Sequence, residues 1–373
     1  MTQKAMRIYT VLCGIGLILA SQASADLRVT MSYTTHREYQ AINASGGSTF
    51  RAGPFDPAVP VRMLGVVVAV NYLDTTAVQG DVSSLPYDML NMGGEWEIFI
   101  QAIDPTDPGK YDWDDGDFGG TKLWMGQLYG NHPLNGDTAY NYSSDDWAAE
   151  LARLETAGGT LPDGQVLQLG DLIEVHANTG LFYNGTMNVN EGHDNDWEQG
   201  VPTDGSGDHD FTIEIVERGY GLPEASVVGI DEINTFDATR ATGGEHYQGT
   251  RIELEQVRFV ETGQTLLDGW TADSEKLLHV EDIDGNSLAL WLGHDDSFDP
   301  LQTMPTGWFD LTGVLNQSGL TDGYYLVVAD ASQFAVVAIP EPATVTLVGL
   351  LGLAFCGMGR KSRRRATLRP ANH

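Results

Sequence analysis

Acidic side chains crowd two stretches of this 373-residue chain, and the chemistry they suit is the binding of hard divalent cations. Asp107, Asp112, Asp114, Asp115 and Asp117 fall close together, with Gly109 and Gly116 among them. Further on come Asp194, Asp196, Glu198, Asp204, Asp208 and Asp210, with His193 and His209. Ca²⁺ takes roughly six to eight oxygens, which flexible carboxylate loops can supply. The candidate calcium ligands are Asp112, Asp114, Asp117, Asp194 and Asp196. Asp112 and Asp114 have the spacing that opens an EF-hand, but Leu123 stands where that loop needs a bidentate Glu, so the motif fails. The competing reading is two solvated loops on an acidic surface. No cofactor other than calcium is suggested.

Catalytic constellations are not legible. The histidines, at 36, 132, 176, 193, 209, 246, 279, 294 and 373, form no His-Glu-x-x-His or His-x-His pair. His193-Asp194 and His209-Asp210 have the makings of a base and its orienter, although such neighbours in loops are usually incidental. There is no Gly-x-Ser-x-Gly elbow, P-loop or dinucleotide fingerprint. Eight tryptophans are the remaining feature. Trp113 and Trp197 lie in the acidic stretches, where their rings could stack on sugars; most of Trp96, Trp124, Trp147, Trp270, Trp291 and Trp308 alternate with apolar residues and read as core.

The elements that must position these residues are nearly all β. Short runs of β-branched and aromatic residues, punctuated by Gly, Asp, Asn and Pro, predict strands over 27–33, 61–71, 95–102, 122–129, 171–177 and 211–216. A second set is predicted over 251–260, 277–282, 287–292, 308–315 and 324–329, with residues 283–286 as a tight hairpin turn. One short helix is expected over 145–156, with Ser144 as its N-cap and Gly158-Gly159 at its end.

Residues 244–260, 277–293, 307–317 and 324–334 together resemble the OB-fold modules of secreted, nuclease-associated proteins, and the resemblance implies a five-stranded barrel with a ligand-binding face. Gly170 to Val175 followed by Phe182 to Gly185 parallels Gly307 to Gly313 followed by Gly323 to Tyr325, so the first half reads as a degenerate copy carrying a long insertion. The expectation is a mainly β protein of tandem OB-like barrels, with a β-sandwich as the alternative. A domain over 26–220 is followed by another over 221–339.

Between the chain ends, residues 26–339 hold 12 Lys and Arg against 51 Asp and Glu, a formal charge of −39. Such a surface repels phosphate backbones, so no nucleic-acid partner is expected. Both cysteines, at 13 and 356, fall outside this body, which leaves it without disulfides or thiol chemistry.

The ends speak of sorting. Lys4 and Arg7, an apolar run over 8–20, and the small-x-small pair Ala23 and Ala25 form a secretory signal over 1–25, with the mature chain starting at Asp26. The implied partners are the secretion machinery and signal peptidase. At the other end Pro340-Glu341-Pro342 precedes an uncharged, mostly apolar segment over 343–359, which reads as a transmembrane helix. Arg360, Lys361, Arg363, Arg364 and Arg365 follow as a basic stop, which keeps that end cytoplasmic and the body outside. Motif, apolar helix and basic end in this order, over 340–373, resemble the PEP-CTERM sorting signal. The resemblance implies recognition by an exosortase, cleavage near residues 340–342, and delivery to the cell surface or an exopolysaccharide matrix. The leading expectation is thus an exported, membrane-anchored intermediate that becomes a non-enzymatic envelope or matrix protein binding carbohydrate or calcium. The alternative is a secreted hydrolase or nuclease-accessory module.

Overall fold

The computed structural model describes residues 33–50, 61–73, 94–103, 117–128, 141–145, 147–148, 167–177, 180–191, 211–261, 276–293, 305–319 and 323–336. The chain divides into two compact units, Met1–Ala335 and Val336–His373, and both sheets belong to the first. The fold is mainly β, with helices of a single turn such as His36–Tyr39, Ile230–Ile233 and Gly244–Tyr247.

The first sheet contains β1 (Val61–Leu73), β2 (Glu95–Gln101), β3 (Gly120–Gly126), β4 (Leu172–Ala177), β5 (Leu181–Tyr183), β6 (Thr186–Glu191) and β7 (Phe211–Glu217). Their order is β5-β6-β3-β2-β1-β4-β7, antiparallel except where β3 runs parallel to β6. Only Asn178-Thr179-Gly180 separates β4 from β5 in sequence, so one passage of chain pairs first with β1 and then with β6. Period-two alternation explains which residues go inside. Met63, Ile98, Leu123, Ile173, Val175 and Val189 are fully enclosed, with Trp96 and Trp147 filling the same core. Asp171 fastens the start of β4. Its buried carboxylate accepts the Gln168 N–H at 2.9 Å, Arg218 Nη1 at 2.6 Å and the Gly219 N–H at 3.0 Å.

The second sheet contains β8 (Ser226–Val227), β9 (Arg251–Phe259), β10 (Lys276–Glu281), β11 (Ser287–Leu292), β12 (Phe309–Gln317), β13 (Tyr324–Val328) and β14 (Phe334–Val336). The order β12-β13-β11-β10-β9 closes on itself because β12 also pairs with β9, which makes a five-stranded barrel. The β11–β13 pair is parallel and the other pairs of the ring are antiparallel, an OB-like arrangement. Closure rules out the β-sandwich for this half. Phe259, Phe309 and Phe334 meet at centroid separations of 4.9–5.8 Å within its core. Asp282 makes the β10–β11 hairpin: its Oδ1 accepts from the Asp284 and Asn286 N–H groups, and Gly285 takes φ 84°.

A common seam joins the two sheets. Val68, Ala69 and Phe99 of the first pack against Val314 and Val327 of the second. Polar contacts continue it: Gly120 N donates to Gln248 O at 2.9 Å, and Arg251 N donates to Gln101 Oε1 at 2.8 Å.

Most expected strands are present with ends shifted by a few residues. β5, β6, β8 and β14 were not legible in the sequence; of the strand expected over 27–33, residues 27–32 lie outside the described residues and Tyr33 is not in a strand. Of the expected helix, 144–145 and 147–148 are described and helical, with Trp147 N bonded to Ser143 O. Ser144 is therefore inside the helix rather than its cap. Residues 1–25, Asp26, Pro340, Glu341, Pro342, the segment 343–359 and the arginines beyond it lie outside the described residues. Among the described residues no helix is long and apolar enough to cross a membrane.

Candidate functional site

Strand alternation in the second barrel sends Leu288, Leu290 and Leu292 of β11 inward and leaves Ala289 and Trp291 on the outside. In β10 the same rule turns Leu278 and Val280 inward and leaves Leu277 and His279 outside. Register aligns these outward residues: Leu277 opposes Trp291, His279 opposes Ala289, and Ala289 pairs with Tyr325 of β13. A half-buried aromatic pair results, with Trp291 and Tyr325 centroids 5.9 Å apart and rings inclined at 55°. Asn316 Nδ2 donates to the Tyr325 hydroxyl at 2.7 Å and fixes that ring. Beside it, Glu261 accepts the His279 N–H at 2.9 Å and faces His279 Nδ1 at 2.9 Å. Burial alone would raise the Glu261 carboxyl; the hydrogen bonds to His279 outweigh it and hold the group below the usual range. Tyr325 also packs against the apolar cluster of Val68, Ala69, Phe99, Val314 and Val327, so it backs the pair and the Trp291 ring is the flat surface that can stack on a ligand. It offers no nucleophile.

The first sheet has the counterpart. Leu123-Trp124-Met125-Gly126 in β3 matches Leu290-Trp291-Leu292-Gly293 at the end of β11, and each strand pairs antiparallel with its predecessor and parallel with a later strand, β6 in the first sheet and β13 in the second. Trp124 also points outward and is half-buried, its Nε1 donating to Glu95 Oε1 at 2.5 Å. Lys122 and Glu97 form an ion pair beside it at 2.9 Å. The sequence reading placed most such tryptophans in the core; Trp96 and Trp147 are there, whereas Trp124 and Trp291 are not. The signal that distinguishes them is the repeated Leu-Trp-apolar-Gly string on corresponding strands.

Of the candidate calcium ligands only Asp117 is described; Asp112, Asp114, Asp194 and Asp196 lie outside the described residues. Both Asp117 oxygens are engaged, accepting the N–H groups of His36 at 2.8 Å and Arg37 at 2.9 Å at the start of the single-turn helix. Here it anchors backbone. His36 itself is fully buried, with Nε2 3.1 Å from Leu64 O and Nδ1 2.9 Å from Thr121 Oγ1. A carbonyl only accepts, so Nε2 carries the proton and Nδ1 accepts from the threonine hydroxyl. Burial lowers the His36 pKa and keeps the ring neutral at pH 7. This His–Thr pair has the composition of a base and a nucleophile, but neither side chain can be reached by a substrate. Three possible metal donors, Glu174, His176 and Glu214, do converge within 4.8 Å of one another.

No family model matches the chain. Catalase isozyme 2 of Ricinus communis is 36% identical over 129 residues, covering 34% of this chain and 25% of that protein. The chain therefore spans about a quarter of that relative's length. Among solved structures, fission yeast Pot1 with ssDNA aligns over 86% of this chain and 94% of its own at 10% identity, with a TM-score of 0.24.

Proposed function

We propose that this is an exported, surface-sorted, non-enzymatic protein of the envelope or exopolysaccharide matrix, and that it binds carbohydrate through paired OB-like barrels. The observation that carries the reading is the outward tryptophan repeated at the same place in both rings, Trp124 and Trp291, the second paired with Tyr325. The likeness extends to chain path: β4 with β5 follows the same route round the first ring as β12 does round the second. This favours a tandem pair, the first copy enlarged by the segment between β3 and β4. Aromatic faces stack on the apolar faces of sugar rings, and a body of formal charge −39 suits a neutral polysaccharide better than a phosphate polymer. A hydrolase or nuclease-accessory role draws no support from the one buried His–Thr pair. Calcium remains a proposal for the acidic stretches, carried by Asp112, Asp114, Asp194 and Asp196.

Two experiments test this reading. Co-sedimentation with the producing cell's purified exopolysaccharide should weaken about tenfold in Trp291→Ala, the loss expected for one stacking contact of roughly 1.4 kcal/mol. Trp124→Ala should weaken it less, because Glu95 already holds that indole. Undiminished binding in the double variant would remove the aromatic faces from the account. For sorting, replacing Pro340-Glu341-Pro342 by alanines should leave export intact and block release, so that uncleaved chain accumulates in the membrane fraction. Normal release of that variant in an exosortase-positive cell would reduce the segment to a stalk.

A further inference from the structure

Glu174, His176 and Glu214 meet on the outer surface of the first sheet. Ile173 and Val175 of β4 face the core, so Glu174 and His176 project the other way, two residues apart. Register places Glu214 of β7 directly opposite Glu174. One donor atom from each lies within 4.8 Å of the other two. Glu174 is only 6% exposed, and a fixed set of donors sets its orientation. Its Oε2 accepts Arg62 Nη2 at 2.8 Å and the Tyr33 hydroxyl at 2.6 Å, and the Arg62 guanidinium lies 4.2 Å above the Tyr33 ring. Its Oε1 faces His176 Nε2 at 2.5 Å and Arg62 Nε at 2.9 Å. Burial alone would raise this carboxyl; the bonds from Arg62, Tyr33 and His176 override it and keep the group ionised.

We propose that this cluster is a site for a borderline divalent transition-metal ion of the zinc class, held by Glu174 Oε1, His176 Nε2 and the Glu214 carboxylate. An imidazole nitrogen among carboxylates selects zinc-like ions over Ca²⁺, which takes oxygen donors throughout. Three protein donors leave a fourth position open to water. Arg62 and Tyr33, on the far oxygen of Glu174, orient the ligand from behind. Arg62 Nε is the competing cation on Oε1 and makes the site moderate in affinity rather than tight.

Zn²⁺ titration of the full-length protein, stripped with chelator and followed by calorimetry, tests the assignment. One equivalent should bind, with Ca²⁺ unable to displace it. His176→Gln and Glu214→Gln should each weaken this binding by about tenfold or more, at least the loss seen when outer-shell partners of metal ligands are removed. Glu214 is exposed and its charge also acts on Arg62, so the metal-free melting temperature of each variant, measured alongside, separates ligand loss from misfolding. Weak uptake on the acidic surface is common to parent and variants. Absence of any Zn²⁺ binding in the parent beyond that of the double variant overturns the proposal, as does full displacement by Ca²⁺.

Discussion

Replacing Gly120 by alanine will unfasten the first sheet from the barrel at the point where their backbones touch. A Cβ there would stand 2.0 Å from Gly249 O and 2.7 Å from Ile100 O, both main-chain atoms that cannot swing aside. Gly249 faces the same obstacle from the other side: its Cβ would lie 2.5 Å from Gly120 C, and its φ of 75° already disfavours any side chain. The approach is also hydrogen-bonded, with Gly120 N donating to Gln248 O and Gly249 N donating to Leu315 O at 2.7 Å. Adding a methyl group means moving the first sheet against the barrel, which would disturb Val68, Ala69, Phe99, Val314 and Val327 along the seam. Overpacking of this kind costs about 3 kcal/mol, and for a unit of more than 300 residues that lowers Tm by roughly 4–5 °C. Gly285→Ala is the matched control. Its φ is 84°, but nothing lies within 4 Å of the added carbon, so only the left-handed penalty of about 1–2 kcal/mol applies. A Gly120→Ala protein that melts within about 2 °C of the parent would show that the seam yields freely.

The second barrel was largely legible because its strands alternate cleanly and its hairpin carries Asp282 and Gly285 at the required places. The first was harder to read, and β6 shows why. Its Met187 and Val189 face the core, but Thr186, Asn188 and Asn190 on the other side are buried as well, each about 4–5% exposed. Polar residues that would mark a solvated loop are enclosed here. Gln40 reaches in to bond Met187 O and Met187 N, and the Tyr39 hydroxyl bonds Asn188 O. Those partners come from nearly 150 residues away, which no local pattern can reveal. The Glu174–His176–Glu214 cluster escaped for the same reason, since β7 reaches β4 only across the segment that holds β5 and β6. Asp117 shows what spacing alone does not carry: its neighbours suggest a cation, and its oxygens also accept backbone N–H groups from a helix start 80 residues upstream.

Arg240 should be the most costly charge to remove from the seam region. It is 3% exposed and takes φ 58°, with Nε donating to Glu245 O at 2.8 Å and the guanidinium 5.3 Å from the Phe118 ring centroid. Its Nη2 has no hydrogen-bond partner among the described residues, and burial pushes its pKa down to about 10, which still leaves it charged at neutral pH. The nearby carboxylate is Glu245, fully buried, which accepts the Tyr324 hydroxyl at 2.9 Å. Burial raises the Glu245 pKa; Tyr324, Arg240 and Gln317 counter it only in part. Arg240→Met keeps the apolar stem and deletes the charge, so Glu245 is left without its cation. The expected loss is about 3–5 kcal/mol, the usual result of stranding one member of a buried pair. Glu245→Gln in the same background should restore a large part of it. The pH dependence has a definite sign. A carboxyl whose folded pKa lies above its unfolded value near 4.5 binds more protons when folded, so its share of stability is present below that value and lost as pH rises through the folded pKa. Removing Arg240 raises the folded pKa further and deepens that loss. The deficit of Arg240→Met against the parent should therefore be largest at neutral pH and shrink towards pH 4.5, and the Glu245→Gln double variant should flatten it. Denaturant melts across this range decide the matter. A deficit of equal size at both ends, or one that Glu245→Gln leaves untouched, would mean that Arg240 acts through its stem and its bonds to backbone, and not as the counter-charge of Glu245.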